Sequence, residues 1–199
     1  MNSDTPTLLH RPLFDRLLPG LLVREGGARI TNDPSDAGGV TKWGVSLRWL
    51  RTQGALGDTD DDGDVDADDV RALSRDEAAE HYWRAFWLQP GWYTLPRLIA
   101  AKLLDLGVNA GTGTAIRLLQ RACTALGREV TLDGRLGPQT RTAAQTLPPL
   151  ELAHALCVEQ AMHYGSLIRA NQKLQKYRLG WSRRAAWLPS AAELGGELV

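Results

Sequence analysis

Residues 13–46 read LFDRLLPGLLVREGGARITNDPSDAGGVTKWGVS, and a change of character half-way along decides the fold. Leu13, Leu17, Leu18, Leu21 and Leu22 recur at helical spacing and predict one apolar helix face that ends at Glu25. Beyond Glu25 the chain fills with Gly, Asp, Asn and Pro, interspersed with the β-favouring Ile30, Val40, Thr41 and Val45. That mixture predicts a small irregular β-hairpin element set between helices.

Outward from this stretch the periodicity stays helical. Ser74-Arg75-Asp76-Glu77 has the pattern of a capping box and predicts a helix running through His81, Tyr82 and Trp83 to Trp87. Pro96 suits the first turn of a helix that carries Leu98, Ala101 and Leu104. Gly111 and Gly113 are expected to break the chain before a helix over about 114–126, closed by Gly127. Leu132 to Pro138 is turn chemistry, and Pro138 opens a short helix. A long helix from about Pro149 to Ile168 follows, then one or two short ones, with residues 189–199 expected as a frayed tail. The fold class is therefore mainly α, a helical bundle with a small β-hairpin beside Glu25.

A chain of 199 residues with 43% apolar and 23% charged content is long enough for a real core. No run approaches the roughly 20 apolar residues of a membrane span. The opening MNSDTPTLLHRPLFDRLLPG has no basic segment leading into an apolar block, so no cleavable signal peptide is expected. Formal neutrality hides an asymmetry: 11 of the 23 acids fall between Asp58 and Glu80. From Ala161 to Ala192 there is no acid, but Arg169, Lys173, Lys176, Arg178, Arg183 and Arg184 are present. The split suggests a cation site in the first region and an anionic envelope polymer, or only solvent, against the second. No nucleic-acid motif is present. Cys123 and Cys157 lack metal spacing and are expected as buried free thiols, and the four histidines also lack ligand spacing.

The acidic run fits the twelve-residue EF-hand loop position by position. Asp58, Asp60 and Asp62 fall at positions 1, 3 and 5, and Gly63 takes the turn at 6. Asp64 offers its carbonyl at 7, Val65 is the apolar residue at 8, Asp66 stands at 9 and Asp69 at 12. Calcium is the expected cofactor, structural or regulatory rather than catalytic, and the loop resembles dockerin-type calcium loops, which also end in Asp.

Glu25, at the end of an apolar helix, is placed where partial desolvation and the negative helix end favour a protonated acid. Asp36 would polarise a water as base and Thr41 would position it. Gly26 and Gly27 leave room for a sugar. Glycoside hydrolysis needs such a pair of groups.

The pattern E-G-G-x5-D-P-x-D-x-G-G-x-T-x-x-G, from Glu25 to Gly44, resembles glycoside hydrolase family 108, the lysozyme-like N-acetylmuramidases of phages and bacteria. Tyr82-Trp83-x-x-Phe86-Trp87-x-x-Pro90 and Asp105-Leu106-Gly107-Val108-Asn109-Ala110-Gly111 resemble two further segments of that family, with Leu104 replacing an aromatic residue. The later half resembles the peptidoglycan-binding region that accompanies it. Asp133, Gly134, Gly137, Pro138 and Thr140 match one of its motifs, and Gly180, Trp181 and Arg184 its closing one. The resemblance runs over about residues 11–188, and the acidic insertion between Gly54 and Leu73 departs from it.

What the resemblance implies is an α+β lysozyme-like fold, with a catalytic region over 11–100 and a helical peptidoglycan-binding-like region over 101–188. The expected reaction is hydrolysis of the β-1,4 bond between N-acetylmuramic acid and N-acetylglucosamine, by an inverting displacement. Glu25 is the expected catalytic acid, assisted by Asp36 and Thr41, while Trp43, Asn109 and Asp33 are expected to bind substrate. The expected partner is peptidoglycan glycan, met by a monomer in the periplasm or cell wall after holin-type or other release from the cytoplasm. The alternatives are a lytic transglycosylase and a catalytically silent wall-binding or secretion-assisting protein.

Overall fold

The computed structural model describes residues 5–32 and 38–196, with side chains from residue 11 onward. These residues are mainly α-helical and hold a single two-stranded antiparallel sheet, as the periodicity predicts. Among them no helix is long and apolar enough to cross a membrane. The chain divides into two compact units, Leu18–Arg84 and Met1–Leu17 with Ala85–Val199.

The unit Leu18–Arg84 begins within α1 (Thr5–Arg24), which buries Leu18, Leu21 and Leu22 as the spacing predicts. Strands β1 (Thr41–Lys42) and β2 (Val45–Ser46) pair with Thr41 opposite Ser46 and Lys42 opposite Val45. Ser46 then caps the short helix α2 (Leu47–Leu50) by accepting from the Trp49 N–H. A 3-10 segment, Arg51–Gly57, leads into the acidic loop and on to α3 (Ala67–Ala72). Helix α4 (Arg75–Trp83) starts from Ser74, whose hydroxyl accepts from Glu77 N–H while the Glu77 carboxylate accepts from Ser74 N–H. The predicted capping box is thus formed. Val40, Val45, Leu50, Val70, Leu73, Ala78, Tyr82 and Trp83 are buried in this unit. A fully buried Leu or Val stabilises by about 1.5–3 kcal/mol.

The expected helix to Trp87 stops at Trp83 and widens into a π-helical turn, Arg84–Leu88. An extra residue in a turn re-aims the side chains that follow. Trp87 is fully buried, edge-on to Phe14 with ring centroids 5.9 Å apart. After a 3-10 turn, Trp92–Thr94, comes α5 (Arg97–Ala110), with Pro96 just outside it as N-cap rather than in its first turn. Gly111, at φ +86°, ends α5 and Thr112 starts α6 (Thr112–Ala125). Gly113 lies inside α6 and breaks nothing, because only Gly111 takes a backbone conformation that a helix excludes. Helices α7 (Pro138–Thr146) and α8 (Pro149–Ala170) follow as expected. A 3-10 segment, Gln172–Tyr177, then leads to α9 (Arg178–Ala186).

The tail departs from the expected frayed end. Ser190 and Glu193 form another capping box on α10 (Ala191–Leu194), and Leu194 is fully buried. A capped turn with a buried Leu anchor holds that stretch in place. Cys123 is a buried free thiol, pushed up to about 11 by burial, whereas Cys157 is half-buried.

Residues 98–107 of α5 are buried without interruption, although they include Lys102 and Asp105. Each charge is matched. Arg184 Nε lies 3.0 Å from Asp105 Oδ2 and Arg184 Nη2 lies 3.1 Å from Oδ1, a two-pronged pair with side chains 10% and 1% exposed. The Lys102 ammonium donates to the carbonyls of Arg184, Ala185 and Trp187 at 3.2, 2.9 and 2.8 Å. Those carbonyls belong to the end of α9, where a cation complements the exposed acceptors. Burial holds the Lys102 ammonium below the ordinary lysine pKa.

Candidate active site

Glu25 is the residue on which α1 turns. Gly27 N–H donates to Leu22 O at 2.9 Å and Gly26 N–H to Val23 O at 3.2 Å. Those two bonds, with Gly26 at φ +93°, form a Schellman stop that makes Glu25 the C-cap. The Gly-Gly after the Glu therefore has a backbone function: it lets the helix end abruptly and leaves the carboxylate at its rim. Glu25 is half-buried.

The hairpin comes back onto this stop. Trp43 N–H donates to Gly27 O at 2.9 Å, and Tyr82 Oη donates to Trp43 O at 2.9 Å. Trp43 and Gly44 are the two residues between the strands, at φ +55° and +77°. Positive φ at both positions is the signature of a type I′ turn. A left-handed conformation costs a bulky residue roughly 1–2 kcal/mol, which two hydrogen bonds of about 1 kcal/mol each can offset. A Cβ on Gly44 would lie 2.3 Å from Tyr82 Oη and 2.7 Å from Glu25 Cβ. The absent side chain is what allows Glu25, the turn and Tyr82 to meet.

Thr41 is half-buried in β1; its hydroxyl donates to Gly39 O at 3.2 Å. Its backbone exchanges two 2.9 Å bonds with Thr31, so the segment leaving Glu25 is tied to β1. Trp43 is half-buried, and among the described residues its indole N–H finds no acceptor. Asp33 and Asp36 lie outside the described residues. The structure thus brings Glu25 and Gly44 together through Gly27, Trp43 and Tyr82. Tyr82 was legible only as part of an aromatic motif, and its clamp on Trp43 was not.

In the acidic loop the carboxylates organise backbone. Asp58 accepts from the N–H groups of Asp62 and Gly63 at 3.2 and 3.0 Å, and Asp62 from Asp64 N–H at 3.1 Å. Asp69, 1% exposed, accepts from Thr59 N–H at 2.6 Å and Asp66 N–H at 2.7 Å. Burial works to raise the Asp69 pKa, but backbone hydrogen bonds outweigh it and hold it below the ordinary carboxylate value. Asp60 is raised by burial and by Asp62 and Asp69; Asp64 is raised first by Asp62 and then by burial. Oxygen atoms of Asp58, Asp60 and Asp69 lie within 4.8 Å of one another, as do those of Asp64, Asp66 and Asp69.

Asn109 belongs to the other unit, near the end of α5. Its Oδ1 accepts from Tyr164 Oη at 2.6 Å, and that hydroxyl accepts from Gln160 Nε2 at 2.8 Å. Asn109 thereby ties α5 to α8. The closing motif has two structural parts: Arg184 pairs with Asp105, and Trp181 stacks with both Tyr164 and Tyr177 at centroid distances of 4.8 and 5.6 Å.

The motif from Asp133 to Thr140 closes on a residue that sequence reading passed over. Gln120 is fully buried in α6, and its Nε2 donates to Asp133 Oδ1, Arg135 O and Thr140 Oγ1 at 2.8–3.1 Å. Its Oε1 accepts from Gly134 N–H at 3.0 Å. The available signal was one amide within an otherwise apolar helix face.

A helix-capping Glu clamped against a type I′ hairpin within E-G-G-x5-D-P-x-D-x-G-G-x-T is a specific arrangement. Residues 18–111 match the Glycosyl hydrolase 108 family model. The matched stretch contains Glu25, the hairpin, the acidic loop, α4 and α5. Residues 114–186 match a second model, the Predicted Peptidoglycan domain. Together the matches support a glycoside hydrolase acting on peptidoglycan. The structure of Brucella abortus SagA is similar in fold, with a TM-score of 0.69 at 22% identity, covering 87% of this chain and 89% of that one. No curated protein matches the chain.

Proposed function

We propose that the protein is an N-acetylmuramidase that hydrolyses the β-1,4 bond between N-acetylmuramic acid and N-acetylglucosamine. The observation that carries this reading is the placement of Glu25 as the C-cap of α1, held against Gly44 within the glycosyl hydrolase 108 region. Glu25 protonates the leaving glycosidic oxygen, and Asp36 with Thr41 directs a water to the opposite face of the sugar in an inverting displacement. Trp43 offers an aromatic face to a sugar ring, with Asp33 as a further substrate contact. The product is a reducing N-acetylmuramic end, released in the periplasm or cell wall.

Calcium is part of the proposal. Asp58, Asp60 and Asp69 supply hard oxygen donors close enough to share one cation, and their mutual repulsion is what a cation would relieve. Asp62 and Asp64 are the remaining expected ligands, Asp64 through its carbonyl. When bound, the ion would fix the loop; the chemistry at Glu25 does not run through it.

Mass spectrometry of purified peptidoglycan digested by wild type and Glu25→Gln tests the reading. Reducing N-acetylmuramic products from wild type alone are expected. 1,6-Anhydro ends would replace hydrolysis by transglycosylation, and no products from either protein would overturn catalysis.

A further inference from the structure

The turn after the π-helix and the Gln120-bound loop face one another across a groove of about 500 Å³. That volume is within the range of small-ligand sites, roughly 300–1,000 Å³. Gln89, Tyr93, Thr112, Arg135 and Arg141 supply its polar lining, and no Asp or Glu is among the lining residues.

Both walls are rigid for reasons on the chain. On one side Gly91, at φ +78°, donates its N–H to Leu88 O, and Thr94 Oγ1 returns to Gly91 O at 2.7 Å. On the other, the backbone of Arg135 is held twice: its N–H donates to Asp133 Oδ1 at 2.8 Å, and its carbonyl accepts from Gln120 at 3.1 Å. Gly134 beside it, at φ +73°, takes a backbone conformation that strains any side chain, and a Cβ there would press on Arg117 Cζ at 3.0 Å and Gly113 O at 3.1 Å. The loop is thus fixed while the Arg135 side chain is left exposed. Arg141, half-buried on α7, makes one long bond of 3.4 Å to Leu136 O. Neither guanidinium lies in a salt bridge among the described residues. Two planar forks on a fixed frame, next to an amide, a phenol and a hydroxyl, suit a ligand with carboxylates and peptide groups.

We infer that this groove receives the carboxylate-bearing stem peptide of peptidoglycan, with Arg135 and Arg141 gripping its acid groups. The inference rests on the peptidoglycan reading above. It makes the groove a specificity site distinct from the chemistry at Glu25, selecting strands that carry free stem carboxylates.

Calorimetric titration of the full chain tests it, using three probes: free stem peptide, the same peptide with its carboxylates amidated, and the peptide-free disaccharide. The Glu25→Gln chain serves as parent, to prevent turnover. The free peptide is expected to bind the parent, and both amidation and Arg135→Gln/Arg141→Gln are expected to weaken it at least tenfold. Amidation should cost the double variant nothing further, and disaccharide binding should be the same in both proteins. Arg141→Lys, which keeps the charge and loses the fork, should fall between, and serves if the double variant fails to fold. Equal affinity for the free and amidated peptides, or no peptide binding at all, overturns the inference. If wild type still releases muropeptides in that case, the enzyme reading survives. Peptide binding without any hydrolytic product would sink the enzyme and leave the groove.

Discussion

Gly44 has φ +77° and lies where any Cβ would run into Tyr82 Oη and Glu25 Cβ, so steric and conformational penalties coincide at one position. Gly44→Ala is expected to lose about 1–3 kcal/mol of stability, in the range of backbone-incompatible substitutions. It should lose more than tenfold in lytic rate as well, since Glu25 is one of the two groups displaced. Tyr82→Phe alone removes one hydrogen bond, worth about 1 kcal/mol, and frees the Trp43 carbonyl. In the Gly44→Ala background the same change removes the nearest clashing atom, so the two should be non-additive, with the double variant more stable than the sum of singles. Urea unfolding of the four proteins checks this; strict additivity would mean that the clash relaxes elsewhere.

α5 carries charges into a buried helix, and the pairing across to α9 is what makes them tolerable. Arg184→Met strands Asp105 in the core and should cost about 3–5 kcal/mol, whereas Arg184→Met with Asp105→Leu should recover most of it. Thermal unfolding distinguishes a pair that stabilises from one whose loss is merely compensated. α4 has a pH signature of its own. His81 is buried edge-on to Trp49 at 5.3 Å, and burial lowers its pKa below 6.5, with Arg84 adding to the effect while Glu77 and Glu80 oppose it. In the window below 6.5 the unfolded chain binds a proton that the folded chain resists, so stability falls as pH falls toward the lowered folded value. His81→Gln should flatten that acid limb in unfolding curves taken between pH 7.5 and 5. His163, also lowered by burial, leaves a residual slope of the same sign.

Across the whole molecule, legibility follows the range of the interactions. The α1 stripe, the Ser74 capping box, the type I′ hairpin region and the helix starting at Pro138 depend on residues a few positions apart, and all could be read from the chain. The Asp105–Arg184 pair and the Lys102 cap of α9 join residues 79 to 85 positions apart, and no local pattern encodes them. Gln120 carries no local signal of the loop it holds, whose contacts lie 13 to 20 positions away. Glu25 was legible as a helix end, whereas the Tyr82 clamp behind its hairpin was not. The acidic loop carries an expected calcium pattern, which a crossing experiment tests. Asp60 is raised by burial and neighbouring carboxylates, so its charge opposes folding at neutral pH. Asp60→Asn removes that charge and one expected ligand together. In chelator the variant should therefore melt higher than wild type. In excess calcium the order should reverse, because wild type gains RT ln(1 + [Ca]/Kd), about 2.7 kcal/mol at a hundred times Kd, and the variant gains less. Melting curves that keep one order in both solutions would leave the loop as a set of backbone caps, with Asp69 as its anchor and no ion required.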